Sequence, residues 1–128
     1  MARILVVEDE FLVAATLCET LQEQGHEVLH AANGGAALAA LEVQQPDLVV
    51  TDYRMPRLNG AELVDAIRRD PRWSALPVLM VSAYPAPSAA AMPQPATTFI
   101  QKPFTAEALG RAVDALLSRA ALPAQVFL

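Results

Sequence analysis

The sequence holds one cysteine, Cys18, in 128 residues. A single thiol excludes an intramolecular disulfide framework and a cysteine-based zinc site, and it suits a reducing cytoplasm. Positive charge is also scarce: nine Lys and Arg stand against 14 Asp and Glu, for a formal net charge of −5. That balance excludes a basic patch broad enough to track nucleic-acid phosphates. No apolar run approaches the ~20 residues that span a membrane. No charged leader with an apolar core precedes the first apolar run, so neither membrane insertion nor secretion is expected. What the chain does have is aliphatic bulk. A hydrophobic fraction of 54% is ample for one buried core, and 25 alanines favour helix in several segments.

Strand and helix alternate from the start. Ile4-Leu5-Val6-Val7 is an apolar β-branched run. Phe11 to Gln24 follows with Ala14, Leu17, Cys18 and Leu21 on one helical stripe, and Gly25 is placed to end it. Val28-Leu29 is a weaker strand, flanked by His26 and His30, both read as surface residues away from any site. Asn33 suits the N-cap of an Ala-rich helix that closes at Val43, ahead of Pro46. Leu48-Val49-Val50 is the next strand; Asn59-Gly60 makes a turn into a helix over 61–69, which Asp70-Pro71 terminates. Val78 to Val81 and Thr98 to Ile100 are the fourth and fifth strands, and Thr105 caps a last helix to about Arg119. Trp73 carries no decodable signal.

Five strands with intervening helices predict an α/β fold, a doubly wound parallel sheet covered on both faces. The first, third and fourth strands are apolar throughout, as central strands are, and the second and fifth carry polar residues, as edges do. Composition therefore matches the order 2-1-3-4-5. One stretch breaks the rhythm: Pro85, Pro87, Pro93 and Pro95 fall where a fourth helix belongs. Each costs ~3 kcal/mol in a helix interior. A Pro-rich loop or a short turn is expected over 84–97.

Ligands of open parallel sheets sit at the carboxyl ends of the strands, near the point where strand order reverses. There the first strand supplies Glu8-Asp9-Glu10, the third Thr51-Asp52, the fourth Ser82 and the fifth Gln101-Lys102-Pro103. Carboxylates converging from adjacent strands repel one another unless a cation joins them. Oxygen ligands without neighbouring His or Cys point to Mg²⁺ or Mn²⁺. Lys102 is the only lysine of the chain, and an ammonium opposite a carboxylate and a hydroxyl makes a seat for a phosphoryl group. Each residue also has a plainer reading. The acidic triplet reads as a solvated charge run, Asp52 as a turn former, Ser82 as a helix cap, Lys102 as a surface lysine and Phe99 as edge-strand packing.

The segments ILVVEDE at 4–10, DLVVTDYRMPRLNG at 47–60, VSA at 81–83 and KPF at 102–104 resemble receiver (CheY-like) domains of two-component response regulators, in order and spacing across nearly the whole chain. The resemblance implies a flavodoxin-like domain over 1–119, a short tail over 120–128 and no output domain. By position it implies that Asp52 is the phosphoacceptor and that Glu8, Asp9, Asp52 and the backbone carbonyl of Arg54 hold Mg²⁺. It further implies that Ser82 bonds the phosphoryl oxygen, that Lys102 pairs with it beside a cis Lys102-Pro103 bond, and that Phe99 is the aromatic switch. Tyr84 is expected over the site mouth.

The implied partners are a histidine kinase or histidine phosphotransfer protein and an unidentified output protein, with no nucleic acid and no membrane. The chain itself would be a cytoplasmic monomer or weak homodimer that catalyses only its own phosphorylation and dephosphorylation. Two rivals stand beside this: a receiver fold that binds its partner without phosphorylation, and a phosphatase with an Asp nucleophile. The second wants a carboxylate two residues after the nucleophile, where this chain has Arg54.

Overall fold

The computed structural model describes residues 2–55, 58–83 and 97–121. In chain order they form β1 (Arg3–Val7), α1 (Phe11–Glu23), β2 (Glu27–Ala31), α2 (Gly34–Gln44), β3 (Leu48–Asp52), α3 (Gly60–Arg69), a 3-10 turn at Pro71–Trp73, β4 (Val78–Ser82), β5 (Thr97–Gln101) and α4 (Ala106–Ala121). The five strands make one sheet in the order β2-β1-β3-β4-β5, and every pair is parallel. The expectation of a loop in place of a helix over 84–97, and Tyr84 with it, falls on 84–96, outside the described residues; Thr97 already opens β5.

Strand alternation divides the core in two. Leu5, Val7, Val49, Val78 and Met80 face α2 and α3, where Leu41, Leu63, Val64 and Ile67 meet them. Ile4, Val6, Leu48, Val50, Leu79 and Val81 face the other way, onto Leu17 and Leu21 of α1 and Leu109, Val113 and Leu116 of α4. Burying each Val, Leu or Ile stabilises the fold by roughly 1.5–3 kcal/mol. The central strands β1, β3 and β4 are therefore clamped on both faces, and the residues that follow them are fixed in position. Cys18 is half-buried against the α1–α4 cluster, and Trp73 packs against the α2–α3 cluster with the Arg72 guanidinium 5.7 Å from its ring.

The helix starts follow from local chemistry. The Asn33 side chain accepts from Ala36 N at 2.8 Å, and Thr105 Oγ1 accepts from Ala108 N at 3.0 Å. Asn59 is an N-cap rather than the corner of a free turn. Its side chain accepts from Glu62 N at 2.8 Å while the Glu62 carboxylate accepts from Asn59 N at 2.9 Å. Such a reciprocal cap contributes about 1 kcal/mol and sets where α3 begins. Asp70 does more than end α3: its carboxylate accepts from Arg72 N at 2.9 Å and so caps the 3-10 turn. α4 continues to Ala121, past the expected end at Arg119. At Gln24, which follows α1, the side-chain amide donates to the Ala106 carbonyl at 2.9 Å and ties α1 to the start of α4.

Candidate functional site

Parallel strands all finish at one edge of the sheet, and four of them deliver polar residues there. Glu8 follows β1 immediately, Asp52 ends β3, Ser82 ends β4 and Lys102 follows β5. Glu8, Asp9 and Asp52 each offer a carboxylate oxygen, and these oxygens lie within 4.8 Å of one another. Lys102 Nζ stands 3.5 Å from Asp52 Oδ2 and 3.6 Å from Glu8 Oε1. Glu8, Asp9, Asp52 and Lys102, four of the residues singled out from the sequence, thus lie together.

Their environments differ. Glu8 is 1% exposed, while the side chains of Asp52 and Lys102 are 13% and 25% exposed and Asp9 faces solvent. Burial pushes the Glu8 carboxyl up to about 7. The N–H of Glu10, which donates to Glu8 Oε2 at 3.1 Å, draws it back; the Asp52 charge raises it, and the Lys102 charge lowers it. Glu8 Oε1 is buried and accepts no hydrogen bond. The Lys102 ammonium at 3.6 Å is an ion-pair partner but stands beyond hydrogen-bond distance; a buried oxygen without a hydrogen bond is costly, and a hard divalent cation held with Asp9 and Asp52 would satisfy it. The residues present fit an oxygen-ligated Mg²⁺ or Mn²⁺.

Asp52 is held at the mouth by its own turn. Arg54 N donates to Asp52 Oδ1 at 3.2 Å, Tyr53 N to the Val81 carbonyl at 2.9 Å, and Gly60 N to the Tyr53 carbonyl at 2.7 Å. Only glycine fits at 60, because a Cβ there would stand 2.7 Å from the Asp52 carbonyl oxygen and 2.9 Å from Tyr53 Cα. Ser82 is buried, and its carbonyl accepts from Lys102 N at 2.6 Å, so β4 and the lysine are joined through backbone. The Lys102-Pro103 bond is cis. Phe99 stands apart from the carboxylates: it pairs with Met80 in the ladder and lies half-buried against the α2–α3 core. Beside Lys102 an apolar groove runs between α1 and α4, lined by Leu12, Leu17, Pro103, Phe104 and Leu109.

One reading from sequence is corrected. His30 does not lie away from the site: its Nε2 is 2.9 Å from the Glu8 carbonyl oxygen. The signal was present in the strand order. β2 neighbours β1 in parallel, so its carboxyl end lies beside the acidic turn. His26, by contrast, sits at the other edge of the sheet, where Nδ1 accepts from Ala2 N at 3.2 Å.

A doubly wound parallel sheet that gathers three carboxylates and a lysine at its carboxyl edge places charges suited to a cation and a phosphoryl group where open α/β sheets bind their ligands. The comparisons with known proteins identify the family. The family model described as the response regulator receiver domain matches residues 4–114, and the chain belongs to that family. It is 34% identical over 120 residues to protein PilH of Pseudomonas aeruginosa, covering 92% of this chain and 99% of that protein. It is 37% identical over 123 residues to the transcriptional regulatory protein TcrA of Mycobacterium tuberculosis, covering 94% of this chain but only 48% of TcrA. Among solved structures, the chemotaxis protein CheY4 of Vibrio cholerae superposes with a TM-score of 0.82 at 31% identity, over 91% of this chain and 98% of that one. The chain is a receiver domain of the two-component response regulators. Receiver domains are signalling modules, and among the described residues no helix is long and apolar enough to cross a membrane.

Proposed function

We propose that Asp52 is the phosphoacceptor of this receiver and that a histidine kinase or histidine phosphotransfer protein is its donor. The observation that carries the reading is the placement of Lys102 Nζ, 3.5 Å from an Asp52 carboxylate that is largely buried but keeps 13% of its side chain exposed. The Asp52 oxygen attacks phosphorus in line as the phosphorus–nitrogen bond of the donor phosphohistidine breaks; the electron pair leaves with the imidazole. Lys102 holds one phosphoryl oxygen by charge and the Ser82 hydroxyl another. Glu8, Asp9, Asp52 and the Arg54 carbonyl hold the Mg²⁺, or Mn²⁺, which when bound supplies positive charge against the transferring phosphoryl oxygens. Phe99 is the switch position: its strand pairs with β4 up to Ser82, so a pull on Ser82 reaches it through the ladder. The phosphorylated form acts on an output protein in the cytoplasm, with the chain itself a monomer or weak homodimer.

The test is intact-mass labelling with acetyl phosphate and Mg²⁺. The wild type should gain one phosphoryl group, and Asp52→Asn should gain none, because an amide is a poor nucleophile. Equal labelling of the two proteins would place the acceptor elsewhere.

A further inference from the structure

β1 runs out of ladder at Val7, whose partners are Ala31 of β2 and Thr51 of β3. The next residue, Glu8, is nevertheless gripped by β2 twice. Its N–H donates to the Ala31 carbonyl at 3.1 Å, and its carbonyl oxygen lies 2.9 Å from His30 Nε2. A carbonyl oxygen can only accept, so Nε2 carries the proton and donates. The imidazole therefore pins the peptide plane that joins Glu8 to Asp9. From that plane one carboxylate turns inward, 1% exposed, and the next faces solvent. The two must diverge by a set angle to present their oxygens within 4.8 Å of each other and of Asp52. The other hold inside the turn is a bond from Glu10 N to Glu8 Oε2 at 3.1 Å, which fixes the side chain of Glu8 and not its peptide plane.

We propose that His30 is a positioning residue for the acidic turn: its Nε2–H fixes the Glu8 carbonyl and thereby presets Glu8 and Asp9 for a divalent cation. This inference rests on the reading of Glu8 and Asp9 as metal ligands. His30 touches no ligand oxygen of the cluster and acts only through the backbone of Glu8. Its ring is exposed and buries little area, so it contributes little to the stability of the whole domain. Its effect falls on geometry: without the donor, the turn samples other orientations and binding must select the competent one.

The experiment titrates Mg²⁺ into the full chain and follows the amide shifts of Asp9 and Asp52 by NMR, with urea midpoints measured in parallel. The proteins are the wild type, His30→Ala and His30→Gln, whose amide nitrogen can donate from nearly the same place as Nε2. The Ala variant should need about three- to tenfold more Mg²⁺ for half-saturation. The Gln variant should recover most of that loss, and the three urea midpoints should stay close together. Wild-type affinity in the Ala variant overturns the inference. So does a Gln variant no better than Ala, or a loss of affinity that merely tracks a lowered urea midpoint. Absence of any Mg²⁺-dependent shift in the wild type would instead overturn the metal-site reading on which the inference stands.

Discussion

Gly60 presses its Cα side against the backbone of Asp52: a methyl group there would come within 2.7 Å of the Asp52 carbonyl oxygen. The first turn of α3 and the end of β3 are thus in direct contact, and the Gly60 N–H bonds the intervening Tyr53 carbonyl. The obstacle is main chain, which cannot rotate away as a side chain does. Gly60→Ala should destabilise the domain by about 2 kcal/mol and slow phosphoryl uptake, because the strain is relieved by moving Asp52. Urea unfolding and acetyl phosphate labelling measure the two effects; a variant with wild-type values in both would show that the contact is slack.

Lys102 faces two carboxylates at once, at 3.5 and 3.6 Å. Lys102→Ala should leave the fold intact, since the bond from residue 102 to the Ser82 carbonyl is made by backbone. Labelling of Asp52 should persist at a reduced rate. Beryllofluoride should then fail to shift the amides of Ser82 and Phe99, because no ammonium draws the bound group toward β4 and β5. Wild-type shifts at Phe99 in this variant would exclude the lysine from signal transmission.

Acidity gives an independent handle on Glu8. Its carboxyl titrates at about 7 in the folded chain, above an ordinary value of 4.5. Folding therefore favours the protonated form. That stability is full below about pH 4.5 and is lost as pH rises through 7. The metal-free protein should weaken between pH 5 and 8 by roughly 3 kcal/mol at most, and Glu8→Gln should lack this slope. A cation needs the ionised carboxylate, so Mg²⁺ affinity should rise with pH up to slightly above 7, and binding at pH 6 should release a proton. Calorimetry in buffers of different ionisation enthalpy reads that proton. Proton uptake on binding would contradict the assignment.

How far the sequence spoke depended on what kind of force placed each residue. The central strands are legible because apolar runs of three or four residues, at 4–7, 48–50 and 78–81, have few alternatives to burial between two helix layers. The strand order followed from which runs tolerate a polar residue. Glu8, Asp9, Asp52 and Lys102 could be brought together from that order alone, since parallel strands share an edge. Side-chain reach was harder to read. Asn59-Gly60 looked like a turn, although the Asn59–Glu62 spacing already announced a capping box. The 3-10 turn at Pro71–Trp73 was missed because Asp70-Pro71 signals only that a helix ends. Arg68 gave no hint of its span from α3 to the Trp73 carbonyl and Thr97 Oγ1, at 3.1 and 3.3 Å. Burial there holds its guanidinium below its usual basicity. That link also places Trp73 near the start of β5, at the sheet edge away from the carboxylates, so its fluorescence is a poor reporter of metal.

The order in which the sheet is threaded also sets a timetable. On the ribosome the acidic turn emerges first, Asp52 next and Ser82 after it, while Lys102 follows the last strand to be made. In chain order all three carboxylates are therefore made before the one lysine. On the roles proposed for these residues, the carboxylates that would hold a cation are made before the lysine that would grip a phosphoryl group, and the site is complete only once β5 has been laid down.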